Sequence, residues 1–424
     1  MFKKILIIGS GGREHALGWK LKQSPKIEKL YFAPGNAGTQ NLGENVNIAA
    51  DDIKNLFKFV KSNEIDLTVV GPEAPLALGI VDLFEKHGLK IFGPTKKAAQ
   101  LEASKAWSAE FMKKYNIPSP KFKVFSDFEE ATAFIKSCSW SGLVVKVDGL
   151  ALGKGVIIPK NRKEAIDTIK TIMVEKKFGS AGDTIIIQEK LAGQEVSLIG
   201  FCDGKTIIPL LPAQDHKRIF DNDKGPNTGG IGAYAPVSFV TEKVKKIIYE
   251  TILIPTLKGL QKEGIVYRGV LYAGLMLTKL GPKVLEYNVR CGDPETQPQL
   301  MLLNSDLLSI INACIEGKLK EIEIVFHRGS AVCVVLTAKG YPGTYEKGQV
   351  IYGLDKINNS DVRVFQAGTK EKNGQVETCG GRVLGVTARG FDLKTALKKA
   401  YSAIGRSKVN FSGMHYRKDI GKKA

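Results

Sequence analysis

The stretch KVLEYNVRCGDPETQ, residues 283–297, sets Glu286, Asn288 and Arg290 at every second position of an expected strand. Side chains two apart on a strand share a face, so these three line up. A carboxylate and an amide oxygen placed there can hold a hard cation, and a guanidinium two residues on can grip phosphate oxygens bidentately. Their alternating partners Leu285, Tyr287 and Val289 are apolar and are expected to face a core, while Gly292, Asp293 and Pro294 turn the chain as the strand ends. The same alternation fits a half-exposed strand with a solvated polar face. Other segments must decide between the two readings.

Working outward, the 424 residues are enough for several cores. No apolar run approaches the ~20 residues of a membrane span, and the N-terminal apolar run is short and ends in glycines, so a soluble, unsecreted chain is expected. Six cysteines lie far apart with no C-x-x-C pair, which suggests neither a zinc ribbon nor a disulfide framework. The net charge of +19 comes from 62 basic and 43 acidic residues. Such a field draws in phosphate-bearing partners. The lysines are scattered rather than interleaved with aromatics, however, and the reading is a solubilising surface that attracts small anions, not a nucleic-acid interface.

Residues 3–8 form a short apolar run, followed by Gly9, Gly11 and Gly12 and a helical pattern carrying Ala16, Leu17, Trp19 and Leu21. Similar runs at 30–35, 65–73 and 89–95 alternate with helical stretches such as 76–86, which reads as a doubly wound parallel sheet. Its glycine turns, at residues 9–12, 34–38 and 71–73, are suited to anions. Glu14 stands where a dinucleotide fingerprint needs a small residue, so a small phosphorylated ligand fits better than NAD. A helical segment at 96–115 carries Lys105 and ends at the proline-containing break NIPSPKF. Residues 122–190 then read as a small α/β unit, short enough to be a lid. Mixed strands and helices follow, and the last hundred residues read as mainly β with a final helix near 393–404.

The segment LVVKVDGLALGKGVII, residues 143–158, has two apolar runs around Gly149, Gly153 and Gly155, and its tip is long enough to fold over a triphosphate. It is not a Walker loop, because three residues separate Gly149 from Gly153 and Gly155 follows Lys154. Lys105 and Lys146 are free to reach phosphate oxygens as point charges. The strand ending at Glu189, Lys190 and Leu191, with Glu195 beyond it, offers backbone to an adenine edge and a carboxylate to ribose.

Together GSGGREHAL, PGNAGT, GPEAPLALGI, KVDGLALGKG, QDHKRIFDNDKGPNTGGIGAY, EYNVRCGDPETQ and GMHYRKDIG make the chain resemble, nearly end to end, the glycinamide ribonucleotide synthetase family of the ATP-grasp superfamily. The resemblance implies an α/β multidomain fold: a Rossmann-like N-terminal domain (1–103), a central ATP-grasp domain (104–121 and 191–326), a lid (122–190) and a mainly β C-terminal domain (327–424). It implies MgATP-driven condensation of glycine with 5-phosphoribosylamine through glycyl phosphate, in purine biosynthesis, by a cytoplasmic monomer using magnesium or manganese and no nucleic acid or membrane partner. No further catalytic domain is expected on the chain.

By the same resemblance Glu286 and Asn288 hold the metal. Lys105, Lys146, Gly153, Lys154, Gly155, Glu189, Lys190, Leu191 and Glu195 hold ATP. Arg290, Asp293 and Asp215, as catalytic residues, and Glu295 and Gly229, as substrate-binding ones, match the region around glycine and the acyl phosphate, and Gly11, Gly12, Asn36 and Glu73 hold the ribosylamine. Leu152, Lys190 and Cys291 depart from the family's pattern, which bears on loop packing and nucleotide affinity. His15 and His216 are read as structural or positioning residues. Three rival readings are another ATP-grasp ligase or carboxylase with a different acceptor, a basic nucleotide-sensing or nucleic-acid-binding protein, and an NAD oxidoreductase. The QDHKR and RCGDPETQ segments favour the glycine ligase.

Overall fold

The strand Lys3–Gly9 lies at the centre of a five-stranded parallel sheet, flanked by Ile27–Pro34 and Leu67–Val70, with Glu44–Asn45 and Ile91–Phe92 at the edges. Its apolar residues alternate between two cores. Leu6 and Ile8 pack with Leu56, Val60 and Phe84, and Ile5 and Ile7 with Leu17, Leu21 and Phe32. A parallel strand covered on both faces needs such a run. The computed structural model describes residues 3–150, 155–357, 359–422 and 424. The expectations placed on Leu152, Gly153 and Lys154 lie outside them.

Two helical segments are broken where the sequence pattern runs on. Gly79, at φ +92°, ends the helix Glu73–Leu78, and a second helix, Ile80–Lys86, starts directly after it. Ser104 is extended and splits 96–115 into Lys96–Ala103 and Lys105–Lys114. Its hydroxyl accepts from the Trp107 N–H at 3.0 Å, and Asp148 accepts from both the Ser104 hydroxyl and the Ala106 N–H. A capped helix start therefore places Lys105 in a first turn, tied to the segment that carries Lys146.

Residues 122–189 form an antiparallel sheet of their own, in the order Phe122–Phe125, Ile185–Glu189, Leu143–Val147, Val156–Ile157. The helices Phe128–Ser137 and Arg162–Ile169 cover it, and Ile135, Val145, Val147, Ile169 and Ile187 make a separate apolar cluster. The central sheet pairs Ile207–Pro209, Gln194–Asp203, Arg268–Thr278 and Gly281–Asn288. One face of it, with Val196, Leu198, Leu271, Ala273, Leu275, Val284 and Tyr287, packs into the large core beside Ile248, Ile252, Leu257 and Leu260.

The structure corrects the strand reading at one position. Gly274 pairs with Glu286 but the next residue, Leu275, pairs with Val284, so Leu285 is the extra residue of a bulge. Val284, not Leu285, joins Tyr287 and Val289 in the core. The sheet of the last hundred residues also begins earlier than residue 327. It runs Gln214–Asp215, Gly232–Ala235, Ser330–Thr337, Arg382–Gly390, Val362–Gln366. The strand Gly232–Ala235 is buried throughout, pairs Ala331–Val334 and packs beside the helix Thr296–Leu302, with Tyr234 fully buried between its small neighbours Ala233 and Ala235.

Among the described residues no helix is long and apolar enough to cross a membrane, and all six cysteines are free thiols. The first and last sheets are joined by His15 and Asn36. His15 Nδ1 accepts from the Gln366 N–H at 2.9 Å, and Asn36 Nδ2 donates to Ser10 and Gln366 carbonyls, both at 2.8 Å. Burial takes His15 from 6.5 down to about 4. The unfolded chain therefore binds the extra proton between those values. The stabilisation is complete above pH 6.5 and falls towards pH 4, by about 3 kcal/mol in all. Urea melts between pH 6.5 and 4.5 should show this slope in the wild type and a flatter one in His15→Gln; equal slopes would refute the assignment.

Candidate active site

Three neighbouring strands of the central sheet turn their polar side chains to the face away from the core. Ser197 lies opposite Gly274, which lies opposite Glu286, and Tyr272 lies opposite Asn288, with Glu195 two residues before Ser197. The cross-strand register thus gathers Glu195, Ser197, Tyr272, Glu286 and Asn288 on one surface. Gly274 leaves room there, its nearest neighbour being the Glu286 side chain.

Cations enter this surface from three directions. Lys146 crosses from the small antiparallel sheet and donates to the Leu285 carbonyl at 2.8 Å, the carbonyl that the bulge exposes. Lys105 donates to the Gly149 carbonyl at 2.8 Å. Lys217 reaches Glu195 at 3.1 Å. Burial, with Lys105 and Lys217 pushing the same way and Glu286 opposing, brings Lys146 down to about 8. Burial also works against the charge of Lys217, yet Glu195, Glu286 and Asp215 hold its ammonium above its ordinary range. Glu286 is the counterpart: burial favours its neutral form, but Lys217, Lys146, Lys105 and Arg290 keep it ionised and below its usual value.

A second group surrounds Arg290. Its guanidinium meets Glu73 at 3.2 Å and Glu102 at 3.0 Å and donates to Asn288 Oδ1 at 3.0 Å and the Cys291 carbonyl at 3.1 Å. Glu102 also accepts from the Val289 N–H at 2.8 Å. The expected phosphate-gripping fork is thus directed largely at carboxylates of the protein itself. Burial, then Arg290 with Arg13, act on Glu73 in opposite senses and leave it lowered, whereas burial dominates at Glu102 and raises it.

The third group is the turn after the strand. Arg382 donates to the Asp293 carbonyl at 2.6 Å, to its carboxylate at 2.9 Å and to the Gly229 carbonyl at 2.6 Å, while Gln297 Nε2 donates to Asp293 Oδ1 at 2.7 Å. Glu295 is buried and accepts from Tyr272 at 2.5 Å and Ser197 at 3.0 Å. Beside it, Asp215 Oδ1 is buried without a partner, and burial together with Glu295 raises Asp215 well above the usual carboxylate range. The glycine turn of the first sheet closes on the same place. A Cβ on Gly12 would lie 2.9 Å from Gln297 Nε2, and one on Gly11 would lie 3.5 Å from Asp293 and 2.7 Å from Glu14. Glu14 is buried, accepts from the Gly11 N–H at 2.7 Å and from Arg13 at 2.6 Å, and packs against Gly9 and Gly71. Its carboxylate occupies the space beside the glycines that a dinucleotide would approach.

The structure thus brings together Lys105, Lys146, Glu195, Glu286, Asn288, Arg290, Glu73, Asp215, Glu295, Asp293, Gly229, Gly11 and Gly12. At the hinge of the small sheet, Glu189 accepts from the Lys121 N–H at 3.0 Å and from Lys283 at 3.3 Å, the Lys190 N–H donates to Gly142, and Leu191 follows. Gly155 accepts from the Val147 N–H. Asn36 is placed differently, since both its amide groups are already bonded within the turn and to Gln366. The sequence reading missed Glu102, Lys217 and Arg382. Lys217 stands within the quoted QDHKR motif, but Glu102 and Arg382 stand in no motif and are recruited only by folding.

The two antiparallel sheets with a charged crevice between them, set beside a parallel sheet, define an ATP-grasp protein. Family models for the phosphoribosylglycinamide synthetase N domain, ATP-grasp (A) domain and C domain match residues 3–102, 103–296 and 331–423. The chain is 49% identical over 417 residues to the phosphoribosylamine–glycine ligase of Caldanaerobacter subterraneus subsp. tengcongensis, covering 98% of this chain and 99% of that one. It is 51% identical over 427 residues to the trifunctional purine biosynthetic protein adenosine-3 of Gallus gallus, covering 100% of this chain and 42% of the longer one. The crystal structure of the phosphoribosylamine–glycine ligase of Thermotoga maritima superimposes with a TM-score of 0.86 at 37% identity, over 99% of this chain and 100% of that one. The fold alone extends to the biotin carboxylase domain of Hydrogenobacter thermophilus 2-oxoglutarate carboxylase, with a TM-score of 0.75 at 17% identity over 98% and 92% of the two chains. The chain belongs to the phosphoribosylglycinamide synthetase family.

Gly230 is the position where this site has least slack. It sits at φ +112°, and a Cβ there would lie 2.4 Å from Pro294 and 2.9 Å from Asp215 Oδ1. Gly230→Ala should cost about 1–3 kcal/mol of stability and, by displacing Asp215 and the Asp293 turn, lower kcat/KM roughly tenfold or more. Denaturant melts and steady-state rates check both, and wild-type kinetics in this variant would refute the constraint.

Proposed function

We propose that this chain ligates glycine to 5-phosphoribosylamine at the expense of ATP, through glycyl phosphate, with the crevice between the two antiparallel sheets as the reaction site. The observation that carries the reading is the face formed by Glu286 and Asn288 with Lys105, Lys146 and Lys217 above it. This is a concentration of positive charge around the ionised Glu286 carboxylate, suited to a triphosphate and its metal. The adenine end is assigned to the strand end at Glu189, Lys190 and Leu191, and the ribose to Glu195. Gly153 and Lys154, outside the described residues, remain assigned to the phosphates through the sequence alone.

Glu286 and Asn288 fit a divalent metal. The Glu286 carboxylate makes no hydrogen bond to the described residues, and Asn288 Oδ1 accepts one bond, from Arg290, which leaves a lone pair. Among the described residues no group of three or more His, Cys, Asp and Glu side chains could hold a metal. The remaining ligands would be phosphate oxygens and water, the usual pattern for magnesium, which we favour over manganese. When bound, the metal supplies neutralisation of the transferring phosphoryl group.

Glycine's carboxylate oxygen attacks the γ-phosphorus as the bond to the β–γ bridging oxygen breaks, releasing ADP. The ribosylamine nitrogen then attacks the acyl carbon, phosphate leaves, and the nitrogen gives up a proton to form the amide. Lys146 and Lys217 oppose the charge that develops on the phosphoryl oxygens. Arg290, held by Glu73 and Glu102, fixes the angle of Asn288 and faces the ribosylamine side. Asp215 and Glu295 form an anionic recess suited to the ammonium of glycine. Arg382 holds Asp293 and Gly229 around it. The Gly12 end of the helix Gly12–Leu21 is assigned to the ribosylamine phosphate, while Gly11, whose N–H is held by Glu14, shapes the turn and Asn36 supports it.

ADP release should require MgATP, glycine and freshly generated phosphoribosylamine together, with glycinamide ribonucleotide identified by mass. Turnover with a different acceptor would keep the nucleotide site and overturn the substrate. Glu286→Gln should lower metal-dependent turnover on the order of 100-fold while still folding cooperatively, with a melting temperature at or below that of the wild type because the lysines lose a counter-charge. Near-normal activity of that variant at limiting magnesium would sink the metal assignment.

A further inference from the structure

A cavity of about 390 Å³ lies away from the reaction crevice, where the helix Gly12–Leu21 meets the last sheet. The helix separates the two places: Gly12 at its start faces Gln297 and Asp293, while Trp19 and Lys20 in its last turn face the cavity. Met301 and Leu303 form a buried apolar floor, and Arg363 and Arg389, near the ends of paired strands, form the opposite wall with His327.

The lining holds two arginines, a lysine and a histidine, and no aspartate or glutamate among the described residues. Lys20 is 6% exposed. It donates to the Leu303 carbonyl at 2.5 Å and to Gln23 at 3.1 Å, which leaves one ammonium proton. Arg389 uses Nε on Asp361 at 2.8 Å, and its two terminal nitrogens have no partner among the described residues. Arg363 bonds the Asn359 and Val362 carbonyls through one terminal nitrogen and lies 5.9 Å from the Trp19 ring. Asp361 is shared with Lys399, and Asp306 is engaged by Ser24, Ser309 and the Leu308 N–H. These cations crowd one another. Burial lowers Lys20, with Asp306 opposing and Arg389 adding to the shift, and burial, Arg389 and Lys20 all lower His327.

We propose that this cavity is a second binding site, for a phosphate monoester whose phosphoryl group lies among Lys20, Arg363, Arg389 and His327 and whose organic part lies along Trp19. A phosphoryl dianion supplies the counter-charge that the lining lacks, and guanidinium groups match its oxygens in pairs. The volume is within the range of small-molecule sites, and an indole edge gives a flat ring an apolar surface. Such a ligand would bridge the first sheet's helix to the last sheet, beside the His15 and Asn36 bonds to Gln366. By mass action it stabilises the joined state.

The test is calorimetric titration of the full chain with adenosine monophosphate and, separately, with inorganic phosphate, in the presence of a non-hydrolysable ATP analogue, magnesium and glycine. The variants are Arg363→Gln and His327→Gln, both at the cavity rim and outside the reaction crevice. A binding event for the monophosphate that weakens at least tenfold in both variants, with their three-substrate kcat/KM and melting temperature unchanged in the absence of ligand, is the expected result. No such event, or one that neither variant weakens, would overturn the site. Equal affinity for inorganic phosphate and the monophosphate would overturn the role given to Trp19 and with it the monoester.

Discussion

A largely enclosed guanidinium between two carboxylates holds the parts of this molecule in register. Glu73 opens one helix beside the parallel sheet, Glu102 lies in the last turn of another, and Arg290 follows two residues after the strand that carries Glu286 and Asn288. Removing one partner from such a buried cluster leaves a charge that the interior cannot solvate, typically at a cost of about 3–5 kcal/mol. The position of the first sheet against the central one is therefore coupled to the direction in which Asn288 points. A shift of either body would be felt at the face where the phosphates are assigned.

The other constraint is charge balance within the crevice. Lys105, Lys146 and Lys217 repel one another and tolerate confinement because Glu286 and Glu195 stand among them. The balance differs at the two ends. Lysines surround Glu286 and hold it ionised, whereas burial and the neighbouring Glu295 favour the neutral form of Asp215 or an incoming cation. The two ends thus present opposite fields a short distance apart, as the proposed sites for an anionic nucleotide and a zwitterionic amino acid require. The overall charge of +19 adds a long-range attraction for anions that this local pattern then sorts.

What was legible in the sequence was what depends on neighbours along the chain. The alternation at 283–290 put Glu286 and Asn288 on one face, and the apolar run at 3–8 marked the central parallel strand. Glu14 spoke against a dinucleotide, and its carboxylate lies beside the glycine turns. What was hidden depends on distant partners. Leu285 leaves the core because Gly274 and Leu275 pair across a bulge, which no periodicity within one strand records. Ser104 breaks a helical pattern because Asp148 bonds it from another element. Glu102 and Arg382 each look like ordinary charged residues until folding sets them against Arg290 and Asp293.

The strands Gln214–Asp215 and Gly232–Ala235, which complete the last sheet, come from the middle of the chain. A cut that follows linear order would leave either an edge without its pairs or a strand without a sheet. The same crossing ties Asp215 and the Gly229 turn to the backbone of the C-terminal layer. The three family segments are therefore successive along the sequence but interlaced in space, and the smallest piece that can be transplanted intact is all of them at once.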